Sequence, residues 1–186
     1  MIRTKRVLLR PLKDSDKLIQ YKYEQDLRIC TLQASKPRVT TEICIDKWYQ
    51  RATERDPHLS VFAIEVEKCY IGYCTIQNTE SDTSTYMYGI VIGNHEYWGN
   101  GYGTEVTLAI IDYVFVYLGG RRIGLVTNSK NVRAIECFKK SGFIVEGRLR
   151  KARWVKGGYA DSIYMGILKE EWKPVEKEDP AYTDLE

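Results

Sequence analysis

The chain has 186 residues, 44% of them apolar and 28% charged, and a formal net charge of +3. That is enough chain for one well-buried α/β core and too little for two comfortable domains. No apolar run approaches the ~20 residues that span a bilayer, which excludes a membrane-spanning helix.

Five cysteines, Cys30, Cys44, Cys69, Cys74 and Cys137, are an odd number without C-x-x-C spacing, and His58 and His95 are the only histidines. A disulfide framework or zinc site is therefore not expected, and no metal is assigned. The N-terminus Met1–Arg6 is basic but is followed by neither an apolar block nor a small-residue cleavage site. A signal peptide is not expected, and the cytoplasm is the expected compartment. Charge is distributed unevenly. Glu170–Glu186 holds seven acidic against two basic residues, and Arg121–Lys156 holds eleven Lys and Arg against Glu136 and Glu146. Such a basic stretch suits a nucleic acid, a membrane surface or a multiply phosphorylated small molecule.

In chain order, Val7–Leu9 before Arg10-Pro11 reads as a short strand. Asp14 or Ser15 caps a helix running to about Arg28. Gln33–Pro37 is a break, Thr40 or Thr41 restarts a helix through Ile43, Cys44, Trp48 and Tyr49, and Asp56-Pro57 ends it. The period then changes. Leu59–Val66 and Cys69–Gln77 are rich in β-branched and aromatic residues and form a hairpin across Glu67-Lys68. Asn78–Ser84 is turn-like, and Thr85–Ile92 is a strand. Val106–Leu118, apolar on more than one face, reads as a helix packed on a sheet and stopped by Gly119-Gly120. Ile123–Thr127 is a strand. Asn131–Lys140 is an amphipathic helix with Ala134, Ile135, Cys137 and Phe138 inward, terminated by Gly142. Phe143–Val145 begins another strand, and Ala160–Leu168 alternates as the last one. The polar, acidic segment Lys173–Glu186 is expected to be a flexible tail. Paired strands followed by strand–helix–strand–helix–strand argue for a mixed α/β sheet with helices on both faces.

The informative segment is Tyr97-Trp98-Gly99-Asn100-Gly101-Tyr102-Gly103-Thr104-Glu105, between a strand and an apolar helix. Alternate glycines let the backbone turn tightly and let an anion reach its N–H groups without meeting a Cβ. The helix start adds unpaired amides and the positive end of a dipole, which together make a pyrophosphate cradle. A Walker loop is excluded because no Gly-Lys-Ser/Thr occurs. The Rossmann fingerprint is excluded because the loop reads G-x-G-x-G after several strands.

Trp98–Gly103 resembles the [Q/R]-x-x-G-x-G/A loop of the GNAT superfamily of N-acetyltransferases, with Trp98 where the general pattern has Gln or Arg. The run W-G-x-G-Y-G-T-E is similar to the RimJ/RimL branch. The likeness continues through Asn131-Val132-Arg133-Ala134-Ile135, Lys140-Ser141-Gly142-Phe143, Glu146–Arg150 and Gly158-Tyr159-Ala160-Asp161. Several ordered motifs at family spacing are more specific than one glycine loop. The resemblance implies a single domain over residues 1–172. Its sheet would be mixed and mostly antiparallel, with about seven strands, helices on both faces and a splayed central strand pair. It also implies acetyl-CoA as co-substrate and a primary amine, of a small molecule or a peptide N-terminus, as acceptor.

Carried over residue by residue, the resemblance implies that free backbone of Ile90, Val91 and Ile92 pairs with pantetheine. The amides of Trp98, Gly99, Asn100, Gly101, Tyr102, Gly103 and Thr104 would take the pyrophosphate, helped by the Thr104 hydroxyl. Asn131 would bond the pantetheine arm, and Phe138 would lie beside it. Lys139 or Lys140 would be nearest the 3′-phosphate. A strand N–H near Val91 or Ile92 would stabilise the oxyanion, while proximity would supply much of the acceleration.

The chain departs from the family at both catalytic places. Phe138 stands where many members carry a tyrosine acid, and Met87 where relatives often have glutamate. Neither catalytic role transfers, and Tyr88, Asp161 and Tyr164 are the local candidates for proton transfer. Glu24, Asp26, Asp46, Glu54 and Asp56 are candidates to attract a cationic acceptor. Tyr21, Tyr23, Trp48 and Tyr49 either line an acceptor groove or pack the two early helices. Two rival readings are a CoA-binding module without catalysis and, more remotely, a nucleic-acid binder, for which no recognition motif is present. Monomer and homodimer both remain open.

Overall fold

The computed structural model describes residues 1–32, 40–54, 56–80 and 84–174. Its strands are β1 (Ile2–Arg3), β2 (Leu8–Arg10), β3 (Leu59–Val66), β4 (Cys69–Glu80), β5 (Thr85–Ile92), β6 (Arg122–Asn128), β7 (Ile144–Val155) and β8 (Gly158–Leu168). Its helices are α1 (Asp16–Glu24), α2 (Leu27–Cys30), α3 (Glu42–Thr53), α4 (Tyr102–Asp112) and α5 (Val132–Lys140). The expected break at Gln33–Pro37 and the acidic tail beyond Pro174 lie outside the described residues.

The strands form one open sheet in the order β1-β2-β3-β4-β5-β6-β8-β7. Every neighbouring pair is antiparallel except β5 with β6. The sheet therefore has eight strands where about seven were expected, and β1 is the addition. It has two residues, too few to show a period, and it exists because Thr4 N–H donates to the Val7 carbonyl and Val7 N–H to the Thr4 hydroxyl, folding the chain back. Strand β7 runs to Val155 rather than ending near Val145. Pairing with β8 carries it through a basic stretch and two irregularities, after Val145 and after Leu149.

The first expected helix is two helices. Asp26 adopts an extended conformation and its carboxylate accepts from Arg28 N–H, so it caps α2 and interrupts the run. Ser15 precedes α1 without a capping side-chain bond. Asp16 is instead buried, accepting from Arg10 Nη1 and Nη2 at 2.7 and 3.0 Å and from Lys13 N–H at 2.8 Å. Thr41 and Asn131 do cap α3 and α5 through their side chains. The long apolar helix begins at Tyr102 and ends in a π-helical turn at Tyr113–Tyr117, which buries Val114 and Phe115 side by side.

Strand alternation sends Ile64 and Val66 of β3 to one face and Ala63 to the other. The larger core lies under α4 and α5, where Val106, Ile110, Phe115 and Phe138 meet Ile71, Ile76, Ile123 and Met165. On the opposite face Ile19, Tyr23, Trp48 and Tyr49, from α1 and α3, pack on Ala63 and Tyr70. Helices thus cover both faces. Among the described residues no helix is long and apolar enough to cross a membrane.

The parallel pair is short. Thr85, Tyr86 and Met87 of β5 pair with Arg122, Ile123 and Gly124 of β6, and the strands then separate. Ile90–Ile92 border the resulting gap. Ile110, which has no exposed surface, holds α4 to the sheet beneath it. Ile110→Ala is expected to lower unfolding free energy by about 2–5 kcal/mol in urea titration, the usual cost of a buried cavity.

Candidate active site

The gap between β5 and β6 continues into a cleft of about 340 Å³ running to the glycine turn and along α5. Its floor is set by main-chain direction. Gly93 N–H donates to the Ile71 carbonyl at 2.8 Å, so alternation aims the backbone of Val91 at β4 and that of Ile90 and Ile92 at the gap. The Ile92 carbonyl there accepts from Trp98 Nε1 at 2.7 Å. Its N–H still faces the cleft.

The glycine turn comes next. Gly99 and Gly101 have φ of +81° and +85°, a left-handed backbone that disfavours any residue with a Cβ. Gly101 caps α4, leaving the N–H groups of its first turn without helical acceptors. A Cβ on Gly103 would lie 3.3 Å from Cys137 Sγ, so the turn packs closely on α5 there.

A distant arginine holds this turn. Arg6 Nε donates to Glu105 at 2.7 Å, its Nη1 donates to the Asn100 carbonyl at 3.0 Å, and its guanidinium lies 4.4 Å from the centre of the Tyr102 ring. Arg6 N–H and the Thr4 hydroxyl bond the other Glu105 oxygen at 2.8 and 2.6 Å. Burial opposes the Glu105 charge, but these hydrogen bonds prevail and hold its pKa below the usual carboxylate value. The Asn100 side chain donates back to Glu96.

Ile90, Val91, Ile92, Trp98, Gly99, Gly101, Tyr102, Gly103, Thr104, Asn131, Phe138 and Lys140 all line the one cleft. Asn100 does not line it and serves the turn through the bonds just described. The Thr104 hydroxyl is directed to Cys137 Sγ, 3.4 Å away. Asn131 accepts from Ala134 N–H and donates to the Leu32 carbonyl, and Asn128 donates to that same carbonyl. This anchors the end of the α2 region across the cleft mouth. Lys139 forms an ion pair with Glu136 and is not a lining residue.

None of the three proton-transfer candidates lines the cleft. Phe138 is buried, with its ring edge-on to Tyr88 and Phe143 at 6.3 and 5.9 Å. Tyr88 lies beneath it. The Thr107 hydroxyl donates to the Gly103 carbonyl at 2.7 Å, so Tyr88 must be the donor in its 3.1 Å contact with Thr107. Burial pushes the Tyr88 pKa well up, and its proton stays committed. Asp161 accepts from Lys151 N–H and the Arg148 guanidinium on the β7–β8 hairpin, and both bonds lower its pKa. Tyr164 is exposed on β8. Met87 packs against Gly124, where the strands begin to part.

The early acidic residues are mostly engaged. Asp26 is paired with Arg28, Asp46 with Lys17, and Asp56 accepts from His58 N–H. Glu24 accepts from Gln20 Nε2, and Glu54 ends α3. Tyr23 donates its hydroxyl to the Tyr70 carbonyl, and Trp48 packs on Tyr73 at 5.1 Å. Tyr49 receives Lys17 over its ring, and Tyr21 is half-buried. Packing is the role of the paired aromatics.

Sequence reasoning missed Arg6, Arg133 and Cys137. Arg6 acts across 99 residues of sequence, which no local pattern reveals. Arg133 and Cys137 sit on the cleft side of α5, and their i, i+4 spacing is the signal that would have joined them. Burial raises the Cys137 thiol pKa against its bonds to Thr104 and Thr107. Among the described residues no group of three or more His, Cys, Asp or Glu gathers as a metal site would require.

A sheet split beside a glycine turn that opens a helix defines the class of protein as a mixed-sheet fold with an anion-cradling cleft at its centre. The family model described as "Acetyltransferase (GNAT) domain" matches residues 6–144. The chain belongs to that family and is an acetyl-CoA-dependent N-acetyltransferase, passing an acetyl group to an amine. Spermidine N(1)-acetyltransferase of Escherichia coli (strain K12) is 32% identical over 95 residues, covering 51% of this chain and 50% of that protein. The SPbeta prophage-derived uncharacterized N-acetyltransferase YokL of Bacillus subtilis (strain 168) is 27% identical over 127 residues, 68% of this chain and 71% of the relative. The crystal structure of spermidine N-acetyltransferase from Vibrio cholerae in complex with CoA and spermine superposes with a TM-score of 0.81 at 22% identity. It covers 90% of this chain and 98% of that one.

The Arg6 clamp generates a prediction. Arg6→Ala is expected to weaken CoA binding about 10-fold in calorimetry and to lower the melting temperature by a few degrees, because the same bonds hold the turn in the free protein. Ordering the freed turn then falls to the ligand, at about 1–2 kcal/mol per residue.

Proposed function

We propose that this cleft holds acetyl-CoA and that a primary amine attacks the thioester within a ternary complex. The observation carrying this reading is that the unpaired backbone of the split strands and the free amides of the glycine turn open into one continuous cleft. In this reading the N–H groups of Gly99–Thr104 bind the diphosphate. Ile90, Ile92 and Asn131 hold the pantetheine arm, and Phe138 and Ala134 exclude water along it. The cytoplasm is the compartment we infer.

Acetyl-CoA supplies an activated acetyl group, and the protein supplies position. Of the two oxyanion donors expected from the sequence, the Ile92 N–H is favoured, because the Val91 backbone is turned to β4. The amine nitrogen gains the acetyl carbon as the carbon–sulfur bond breaks, and the amine proton passes to solvent. With Phe138 lacking a proton and Tyr88 bonded to Thr107, no tyrosine acid is assigned. The thiolate can leave unprotonated, since its conjugate acid has a pKa of about 8.5. Orientation alone can supply much of the barrier reduction.

The relatives that act on spermidine make an aliphatic polyamine the first acceptor to try, followed by amino sugars, amino acids and peptide N-termini. Incubation with acetyl-CoA and such a panel is expected to release free CoA thiol with at least one amine. Tight CoA binding with no turnover on any amine would overturn the proposed reaction. Gly101→Ala is expected to weaken CoA binding about 10-fold or more in calorimetry. A left-handed alanine costs about 1–2 kcal/mol, and its Cβ would lie 3.3 Å from Arg6 Nη2, disturbing the clamp.

A further inference from the structure

Tyr23 of α1 meets Gly93, the residue that follows β5, across 70 positions of sequence. A Cβ on Gly93 would collide with Tyr23 Cδ2 and Cγ and lie 2.7 Å from Cε2, so the ring occupies the space a side chain would fill. Gly93 is buried, and its φ lies outside the left-handed region. Its backbone therefore suits any residue. What requires glycine here is the ring.

The ring is itself fixed. Tyr23 donates its hydroxyl to the Tyr70 carbonyl at 3.1 Å and stacks on the Tyr70 ring, with centres 6.2 Å apart. Burial pushes the Tyr23 pKa up to about 12, so the hydroxyl keeps the proton it donates. Tyr70 is buried and donates its own hydroxyl to Gln20 Oε1 at 3.0 Å. The next β4 carbonyl, that of Ile71, accepts from Gly93 N–H at 2.8 Å and from Asn94 N–H at 3.2 Å. Two consecutive carbonyls of β4 thus hold the ring and the segment seated on it.

Gly93 joins the two parts of the cleft. Before it stands Ile92, whose N–H faces the cleft and whose carbonyl is bonded to Trp98. After it the chain runs through the short helical turn His95–Tyr97 into the glycine turn. The peptide that carries the Ile92 N–H is also backed by β4, because a Cβ on Gly72 would collide with the Val91 carbonyl oxygen. Close packing on Gly72 blocks movement toward β4, and Tyr23 blocks movement toward α1.

We infer that Tyr23 is a positioning residue for acetyl transfer: its ring seats Gly93 and so fixes the Ile92 N–H against the acetyl carbonyl. The inference rests on the reading of the cleft as an acetyl-CoA site with Ile92 as oxyanion donor. A donor aimed at developing charge must be placed accurately, and a misplacement of about 1 Å costs on the order of 100-fold in rate. The diphosphate is gripped by a turn that Arg6 braces separately. Loss of the seat therefore falls on turnover and spares CoA affinity.

Amide-proton NMR on the full chain, with CoA and then with acetyl-CoA, reads the contact without an amine. In the wild type the Ile92 amide proton is expected to move downfield when acetyl-CoA replaces CoA, because the thioester carbonyl accepts from it. Tyr23→Ala should lose most of that shift while binding CoA within about 2-fold of wild type in calorimetry, as for independent sites. Turnover of the panel amine that the wild type acetylates fastest should fall about 10-fold or more. Tyr23→Phe keeps the ring and should keep the shift. Gly93→Ala presses on the same contact from the other side and serves as the test should Tyr23→Ala not fold. Alone it should lose the shift, and in the Tyr23→Ala background it should change little further, because the collision is gone. Retention of the shift in Tyr23→Ala or Gly93→Ala would overturn the inference. Parallel loss of CoA affinity would overturn it in favour of a general structural role, and loss in Tyr23→Phe in favour of the hydroxyl bond alone. An Ile92 amide indifferent to bound acetyl-CoA in the wild type would instead overturn the oxyanion reading, and no binding of either ligand the CoA reading of the cleft.

Discussion

Everything in the cleft depends on a hydrogen-bond ladder that stops. Strands β5 and β6 pair at three positions, and beyond Met87 and Gly124 they diverge. A strand without a neighbour exposes N–H and C=O groups that must find partners. On the β5 side the Ile92 carbonyl is satisfied by the Trp98 indole, and the remaining groups face the cleft. On the β6 side Asn128 and Asn131 converge on the Leu32 carbonyl, so the end of the α2 region bridges the opening without filling it. The sheet thereby presents backbone to a ligand at its centre rather than at an edge, with hydrophobic packing on both faces to keep the split in place.

The second constraint is the shape of the glycine turn. Left-handed backbone at Gly99 and Gly101 costs conformational entropy on folding, and the turn's own Trp98 and Asn100 side-chain bonds offset only part of it. Arg6 adds to this from outside. By bonding Glu105 and the Asn100 carbonyl and covering the Tyr102 ring, it links the N-terminal strands to the start of α4. A site built from main-chain amides has no rotamers to lose when ligand arrives, which is the advantage of preorganisation. Under the proposed reaction it also accounts for Phe138 and Met87 at the places of an acid and a base. When position and oxyanion stabilisation come from the backbone, side-chain acids and bases contribute the smaller share.

Much of this was legible in the residues. The β-branched and aromatic run Leu59–Val66, the alternation in Ala160–Leu168, Thr41 as one of two caps offered for its helix, and the glycine spacing each record a local rule, and each appears where expected. The misses have physical reasons. Asp26 breaks a helix because its carboxylate bonds Arg28 N–H locally, an alternative open to any Asx residue and chosen only in context. Strand β7 extends through Arg148–Arg153 because β8 lies alongside, not because those residues favour a strand. Asp161 ended a motif-like run and Tyr164 followed it on the last strand, but both belong to the β7–β8 hairpin and neither lines the cleft.

The order and type of the elements, the need for glycine at the turn and the class of ligand it suits followed from sequence alone, because each rests on contacts a few residues long. Tertiary structure alone decided which backbone groups are left unpaired, that Arg6 braces a turn 94 residues away at Asn100, and that Arg133 lies on Trp98. Those outcomes are set by the packing of distant segments, and no local pattern encodes which of many chemically equivalent arginines will arrive there.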